Sequence, residues 1–277
     1  MKRIGYLSVA VFALALGLTA VAQAQTPNPN GAFLNLGFFN NCPVATVTPT
    51  NNYPVLVSIS DTDPFSFAGT NKHLWKFSED GGATQAVFHN ASNYSFCADV
   101  TVTGNGSGDI EGGLNLSPWW SDGDGQFMAN PGNGEIAVFG GRLPFCSNHA
   151  SSYPPGYWPQ PDYVAGTSLH MAMQYLAGPV DPTISGIPAK VTYYTVNGGT
   201  PYQFGPLAFD QGNTSENPPH GLWGSLEPTS VGGYAQINHV STNTSTITVK
   251  WENICFSNLQ STPAKTTTWG SLKALYR

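Results

Sequence analysis

The segment 92–104, SNYSFCADVTVTG, alternates apolar and polar side chains along its length. One set of alternate positions is apolar and consists of Tyr94, Phe96, Ala98, Val100 and Val102. The intervening set is mostly polar and consists of Ser95, Cys97, Asp99, Thr101 and Thr103. A period of two is typical of a strand that buries one face and leaves the other in contact with solvent. The segment therefore predicts a half-buried β-strand.

Other segments have the same character. A strand is predicted to begin in 53–60, and 134–145 is apolar on both faces, which indicates a central strand. Residues 167–176 have helical propensity, but Leu169, Met171, Met173 and Tyr175 would share one strand face. In 245–256, Ile247, Val249 and Trp251 face one way, and we expect the register to slip near Asn253.

Turn residues separate these segments. In 189–209, Asn197-Gly198 supplies the positive φ that a type I′ turn needs, which predicts a β-hairpin. In 117–135, SPWWSDGDGQFMANPGNGE, a strand is predicted to end near Trp119, the acidic stretch turns, and QFMA begins the return strand.

Composition agrees with an all-β chain. Of 277 residues only 9% are charged, with 31 Gly and 22 Pro, which suits short strands joined by tight turns better than long helices. The formal net charge of −6 argues against a nucleic-acid partner, because no basic cluster would release phosphate counterions. Arg142 is the only arginine between the N-terminal segment and the C-terminal residue.

The N-terminus predicts export. Lys2 and Arg3 precede a short apolar run that ends at Ala22-Gln23-Ala24, the pattern of a secretory signal peptide of bacterial type. The apolar run is short for a membrane anchor, which is the alternative interpretation. We expect a mature chain from near Gln25, located outside the cell, at the cell surface or in the periplasm, with no later membrane-spanning segment.

The predicted organisation has four parts. Residues 1–24 form the signal peptide, 25–50 an extended Asn/Pro/Gly-rich lead-in, 51–259 a single β-domain, and 260–277 a polar tail. The tail is interpreted either as a sorting or attachment signal or as an ordinary chain end.

The four cysteines suggest disulfides. An even number of cysteines in an exported chain, with long spacings and no C-x-x-C, favours two disulfides over a zinc site. The residues are Cys42, Cys97, Cys146 and Cys255. Three pairings satisfy the count; we favour Cys97 with Cys255, and Cys42 with Cys146.

A family resemblance rests on three segments. SLHMAMQYL followed by AKVTYYTVNGGTPYQFGPLAF resembles the central strands of concanavalin-A-like or laminin-G-like jelly rolls. YSFCADVTVTG with GGLNLSP resembles their early strand pair, and ITVKWENICF resembles their closing strand. The resemblance covers about residues 55–257 and implies an antiparallel two-sheet β-sandwich. Members of this class include lectins, carbohydrate-binding modules, glycoside hydrolases, polysaccharide lyases and structural adhesion domains, so the fold leaves function open.

Motifs for several chemistries are missing from the sequence. It has no G-x-S-x-G, no H-E-x-x-H and no phosphate-binding glycine loop. Asp122 and Asp124 have the spacing of the first EF-hand ligands, but Phe127 and Asn133 occupy the positions that need Gly and Glu. A solvated turn is the main interpretation, and a looser calcium site at Asp122 and Asp124 is the alternative. No other cofactor is expected.

Catalysis by carboxyl groups is one alternative for the function of the protein. Glycosidases need two carboxyl groups on either side of the scissile bond. Glu111 and Glu135 each lie at the start of an apolar strand, and we expect those strands to be neighbours. Arg142 could neutralise a carboxylate in a lyase, with His170 or a tyrosine as base. The structural interpretation, an ion pair between Arg142 and one glutamate, is favoured over an active pair.

Carbohydrate binding is better supported, because sugar rings stack on aromatic side chains and their hydroxyls bind amides and carboxylates. The candidate binding residues lie in three loop regions: Trp119 and Trp120; Tyr153, Tyr157, Trp158 and Tyr163; and Asp210, Gln211, Asn213, His220 and Trp223. The structural interpretation of the second group is a lid over a sheet face.

The sequence therefore predicts an exported β-sandwich that binds carbohydrate non-covalently at a polysaccharide or cell surface. One alternative is a glycoside hydrolase or polysaccharide lyase that uses Glu111, Glu135 and Arg142. Another is a structural surface protein without a small ligand.

Overall fold

The computed structural model describes residues 26–64, 69–89, 92–106, 109–117, 125–140, 143–150, 155–177, 189–208, 229–239 and 244–259. The predicted signal peptide and C-terminal tail lie outside these residues. Fifteen β-strands form two sheets, and the described residues contain no helix. Within the same ranges, no helical segment has the length and apolarity needed to span a bilayer.

The first sheet has eight strands in the order β1-β4-β14-β6-β7-β8-β9-β10. Its strands are β1 (Gly31–Asn40), β4 (Gly69–Ser78), β6 (Ile110–Ser117), β7 (Gln126–Ala129), β8 (Ile136–Phe139), β9 (Phe145–Ser147), β10 (Pro155–Tyr157) and β14 (Ser230–His239). All of its strand pairs are antiparallel except β9 with β10, which run parallel.

The second sheet has seven strands in the order β13-β12-β11-β5-β15-β3-β2, all antiparallel. Its strands are β2 (Thr46–Asn52), β3 (Leu56–Asp63), β5 (Tyr94–Asn105), β11 (Ser168–Ala177), β12 (Ala189–Asn197), β13 (Thr200–Ala208) and β15 (Ser245–Asn258). The all-β sandwich predicted from the sequence is confirmed.

Apolar residues at alternate positions hold the two sheets together. Trp75 of the first sheet packs edge-on against Trp251 of the second, with ring centroids 6.1 Å apart. Trp251 Nε1 also donates a 2.8 Å hydrogen bond to the Gly113 carbonyl across the interface. Burial of these rings, together with the other apolar residues of the core, stabilises the sandwich and fixes which face of each strand points outward.

The strand predictions from period-two alternation are confirmed. Tyr94, Phe96, Ala98, Val100 and Val102 are all buried. Leu169, Met171, Met173 and Tyr175 share one buried face of β11, so burial overrides their helical propensity.

The predicted register slip and hairpin are also observed. The pairing of β15 with β5 shifts between Glu252 and Cys255, and Asn253 has φ of 51°. The β12–β13 hairpin forms, but its two central residues are Gly198 and Gly199, with φ of 59° and 81°. The turn is therefore one residue later than predicted, because Asn197 pairs with Thr200.

The segment predicted as an extended lead-in contributes strands to both sheets. β1 is an edge of the first sheet, where it pairs with β4, and β2 is an edge of the second, where it pairs with β3. The described β-domain thus includes residues before 51.

One predicted disulfide forms and the other does not. Cys97 and Cys255 are bonded across β5 and β15. Cys42 and Cys146 are buried free thiols, so their predicted pairing is wrong. Cys42 follows β1, whereas Cys146 lies on β9, six strand steps away in the same sheet. At about 4.8 Å per step this distance is roughly 29 Å, far beyond the reach of a disulfide.

Candidate functional site

The candidate site lies on the face of the eight-stranded sheet that points away from the second sheet. Because Trp75 and Phe77 of β4 point into the core, Lys72, Leu74 and Lys76 must point to this outer face. The same reasoning places Tyr234, Gln236 and Asn238 of β14 there, since Ala235 and Ile237 belong to the core.

A row of long polar side chains crosses the middle of this face. The register pairs Gln236 of β14 with Lys72 of β4 on one side and with Glu111 of β6 on the other. Gln236 Nε2 donates a 2.8 Å hydrogen bond to Glu111 Oε1. Gln126 Nε2 donates to Gln236 Oε1 at 3.4 Å, which connects β7 to the row. We call Lys72, Gln236, Glu111 and Gln126 the polar row.

Burial sets the protonation chemistry of Glu111. The side chain is 5% exposed, and burial raises the pKa of its carboxyl group from 4.5 to about 7. The positive charge of Lys72 lowers the pKa, while Asp109 and Glu135 raise it further. A carboxyl group with this pKa can donate or accept a proton near neutral pH.

Tyr234 lies next to the polar row. Lys72 Nζ is 4.6 Å from the centroid of the Tyr234 ring, within the range of a cation–π interaction. The Tyr234 hydroxyl is buried and makes no hydrogen bond to the described residues. Burial raises the pKa of Tyr234 well above 10, and the charge of Glu111 raises it further.

A cavity of about 350 Å³ opens over one end of the row. Its lining is mainly amide, hydroxyl and ammonium groups, with one aromatic ring, and consists of Phe39, Asn41, Thr70, Lys72, Gln126, Gln236 and Asn238. Phe39 pairs with Lys72 in register after a shift in β1, and 48% of its surface is exposed. We call this space the row cavity.

Hydrogen bonds fix the polar lining of the row cavity. The Thr70 backbone N–H donates to Asn41 Oδ1 at 2.9 Å, and Thr70 Oγ1 donates to Asn238 Oδ1 at 2.8 Å. These side chains are therefore held in place before any ligand arrives, which lowers the entropic cost of binding.

The two candidate glutamates lie on strands that are not neighbours, because β7 separates β6 from β8. Glu111 lies in β6, whereas Glu135 precedes β8 and accepts a 2.6 Å hydrogen bond from Ser147 Oγ. Two strand spacings place the backbones about 10 Å apart, so a close carboxyl pair of the retaining type is disfavoured.

The aromatic candidates in the described residues divide into exposed and buried groups. Tyr157 is 53% exposed, on the edge strand β10. Trp158 packs against Phe127 in the core, with ring centroids 6.0 Å apart. The Tyr163 hydroxyl accepts a 2.8 Å hydrogen bond from the Val102 N–H. Trp158 and Tyr163 thus anchor the 158–163 segment to the sandwich.

The remaining sequence-predicted candidates lie outside the described residues. They are Trp119, Trp120, Asp122, Asp124, Arg142, Tyr153, Asp210, Gln211, Asn213, His220 and Trp223. The hairpin predicted within residues 117–135 does form, because β6 pairs with β7 in antiparallel register. Among the described residues, no group of three or more His, Cys, Asp or Glu side chains is arranged to hold a metal ion.

Most of the row cavity was not predicted from the sequence. The signal was present in VGGYAQINH of β14, where Tyr234, Gln236 and Asn238 alternate with apolar residues. Alternation alone does not distinguish a ligand-binding face from a solvated one. The burial of Lys72 and Gln236, which are 2% and 9% exposed, sets this face apart from a fully solvated one.

Comparisons with known proteins give only weak structural similarities. No protein-family model matches the chain, and no curated protein matches it in sequence. The alginate lyase from Corynebacterium sp. is 9% identical, with a TM-score of 0.42 over 82% of this chain and 94% of that chain. An alginate lyase from Chlorella virus is 9% identical, with a TM-score of 0.34 over 82% and 92%. Peanut lectin with a 9mer peptide is 9% identical, with a TM-score of 0.34 over 85% and 100%. Such values assign no activity to this chain.

Proposed function

We propose that this protein binds carbohydrate non-covalently in the row cavity, at a polysaccharide or cell surface. The observation that carries the proposal is the combination of a half-exposed aromatic ring, Phe39, with a fixed lining of amide and hydroxyl groups. Aromatic rings stack on the apolar C–H faces of sugars, and amides both donate to and accept from sugar hydroxyls.

The size and polarity of the cavity support this ligand class. Its volume of about 350 Å³ lies within the range of small-ligand sites. Gln126 and Gln236 present side-chain amides, which can bind a hydroxyl as donor or acceptor. A purely apolar ligand would cover this polar lining without offering it any new hydrogen bond, and that is energetically unfavourable.

We also propose that the protein acts outside the cytoplasm. The Cys97–Cys255 disulfide supports this location, because disulfides persist in oxidising compartments. The signal-peptide pattern of residues 1–24 points to the same location.

A second proposal is catalysis at Glu111, as a glycoside hydrolase or a polysaccharide lyase. The specific observation behind it is the pKa of about 7 for a carboxyl group in the polar row beside the cavity. Such a group matches the requirement for a general acid or base at neutral pH. The separation of β6 and β8 favours an inverting geometry if Glu135 takes part.

Retention on a panel of insoluble polysaccharides tests the first proposal. Purified protein is incubated with cellulose, chitin, starch granules and agarose, and with bead-coupled alginate and polygalacturonate. Reducing ends and the absorbance of unsaturated products are read on the same samples. EDTA is added in parallel to test the proposed calcium site at Asp122 and Asp124.

Each result supports or removes a proposal. Retention without product supports binding, and product that disappears in Glu111→Gln supports catalysis. Protein that is neither retained nor active on any member of the panel contradicts both proposals and favours a structural surface protein.

A further inference from the structure

A second cavity lies on the opposite side of the sandwich, on the outer face of the seven-stranded sheet. Its volume is about 360 Å³, almost the same as that of the row cavity. Three of its lining residues lie side by side on neighbouring strands: Asp99 of β5, His170 of β11 and Val196 of β12. We call it the His170 cavity.

A hydrogen-bonded pair orients the imidazole. His170 Nδ1 is 2.7 Å from Asp99 Oδ1, and Asn253 Nδ2 donates to Asp99 Oδ2 at 2.8 Å. A carboxylate only accepts hydrogen bonds, so Nδ1 carries the proton in this pair. Nε2 is then the ring nitrogen available to a ligand.

The bulge in β15 contributes to this arrangement. Asn253 has φ of 51°, in the left-handed region that asparagine tolerates better than most residues. The register shift at this position lets its side chain reach Asp99 on the neighbouring strand. The bulge thus helps to hold Asp99, and through it His170, in place.

The remaining lining combines hydroxyl, amide and apolar groups. Ser168 lies on the same strand face as His170. Asn197 also borders the cavity, and its Nδ2 donates to the Pro161 carbonyl at 2.7 Å. Val164, which is 62% exposed, and Val196 supply an apolar wall.

The charges select the ligand class. Among the described residues that line this cavity, none is Lys or Arg, so an anionic ligand has no counter-charge there. Asp99 is bound by His170 and Asn253, and the described residues hold no group of three His, Cys, Asp or Glu side chains that could bind a metal ion. A neutral ligand that carries several hydroxyls and an apolar face fits the hydroxyl, imidazole and apolar groups that line the cavity.

We infer that the His170 cavity is a second carbohydrate-binding site, and that the protein binds two glycan chains on opposite faces. The inference rests on the proposed function for its ligand class, but it uses different residues and a different sheet. Two sites on one rigid body let the protein bridge polysaccharide chains, and they raise retention on a surface through avidity.

A capture assay tests the inference. Protein is first retained on whichever insoluble polysaccharide holds it and is then offered a fluorescent oligosaccharide of the same polysaccharide. We expect wild type to capture the probe, and His170→Ala and Asp99→Ala each to reduce capture at least about tenfold, because Asp99 orients the imidazole. Circular dichroism verifies that each variant is folded.

His149→Ala is the matched control. His149 also pairs with an aspartate, Asp162, at 3.3 Å, and is exposed to the same degree as His170, 39% against 38%. We expect it to capture the probe like wild type. Wild type that is retained but captures nothing, or His170→Ala that captures normally, overturns the second site alone. Wild type that is not retained overturns the proposed function and this inference with it.

Discussion

Gln236 and Glu111 lie opposite each other on β14 and β6 and share a 2.8 Å hydrogen bond from Nε2 to Oε1. Both side chains are buried on the outer face of a sheet, where polar residues usually contact solvent. A buried carboxyl group with an amide partner and a nearby ammonium group, Lys72, needs a compensating role. The proposed ligand recognition or catalysis beside the row cavity would supply one.

The raised pKa of Glu111 predicts a specific pH dependence of stability. The folded protein holds the proton with a pKa of about 7, whereas the usual value is 4.5. The stabilisation from this group is therefore fully present below pH 4.5 and is lost as the pH rises to about 7. The shift corresponds to roughly 3 kcal/mol.

Glu111→Gln mimics the protonated carboxyl group, so the variant should not lose this stabilisation as the pH rises. We expect wild type and variant to have similar stability near pH 4.5, and the variant to be the more stable by up to roughly 3 kcal/mol at pH 8. Denaturant unfolding of both proteins between these pH values measures the difference. A constant difference across the range would contradict the assignment.

Removal of the Tyr163 hydroxyl should destabilise the sandwich. The hydroxyl accepts from the Val102 N–H at 2.8 Å and lies 3.0 Å and 2.9 Å from the carbonyls of Val102 and Thr167. Tyr163→Phe leaves a buried N–H unsatisfied, which costs about 1–3 kcal/mol. Tyr157→Phe, on an exposed side chain, is the control and should unfold like wild type. Equal unfolding midpoints for all three proteins would refute the role of Tyr163.

Thiol counting tests the disulfide assignment. Unreduced protein, unfolded in denaturant with N-ethylmaleimide, should gain two labels, at Cys42 and Cys146. The native protein should label slowly at pH 8, because burial and Asp63 raise the pKa of Cys42 to about 11 and burial raises that of Cys146. Mass spectrometry reads both. An unlabelled denatured protein would mean that a second disulfide exists.

Loss of the Cys97–Cys255 bond should cost much more than loss of a free thiol. The bond spans 158 residues, and constraint of a loop of that length in the unfolded chain contributes roughly 5 kcal/mol. We expect the double variant Cys97→Ser, Cys255→Ser to unfold at far lower denaturant than Cys42→Ser. Similar midpoints for the two proteins would show that the disulfide stabilises little.

The strands could be predicted because their signals are local. Alternation in 92–104 places Phe96 and Val100 on one face without any knowledge of the partner strand. The hairpin turn was predicted one residue early because Asn197, Gly198 and Gly199 all tolerate positive φ, and only the register of Asn197 with Thr200 decides between them.

The candidate site could not be predicted in the same way. Lys72, Glu111 and Gln236 come from strands far apart in the sequence, and only the strand order β4-β14-β6 brings them into one row. Phe39 reaches the row cavity because the register of β1 shifts before it, and no local pattern signals this shift. Glu111 was named as a candidate from the sequence because a carboxyl group at the start of an apolar strand is conspicuous.

The most direct test of carbohydrate binding in the row cavity is the affinity of wild type and Phe39→Ala for an oligosaccharide of the retained polysaccharide, measured by calorimetry. Phe39 is 48% exposed, so its removal should leave the fold intact. Loss of the stacking surface should weaken binding at this site about tenfold. Tyr157→Ala, which removes an equally exposed ring from the far edge of the sheet, should bind like wild type. Unchanged affinity in Phe39→Ala would contradict binding in the row cavity.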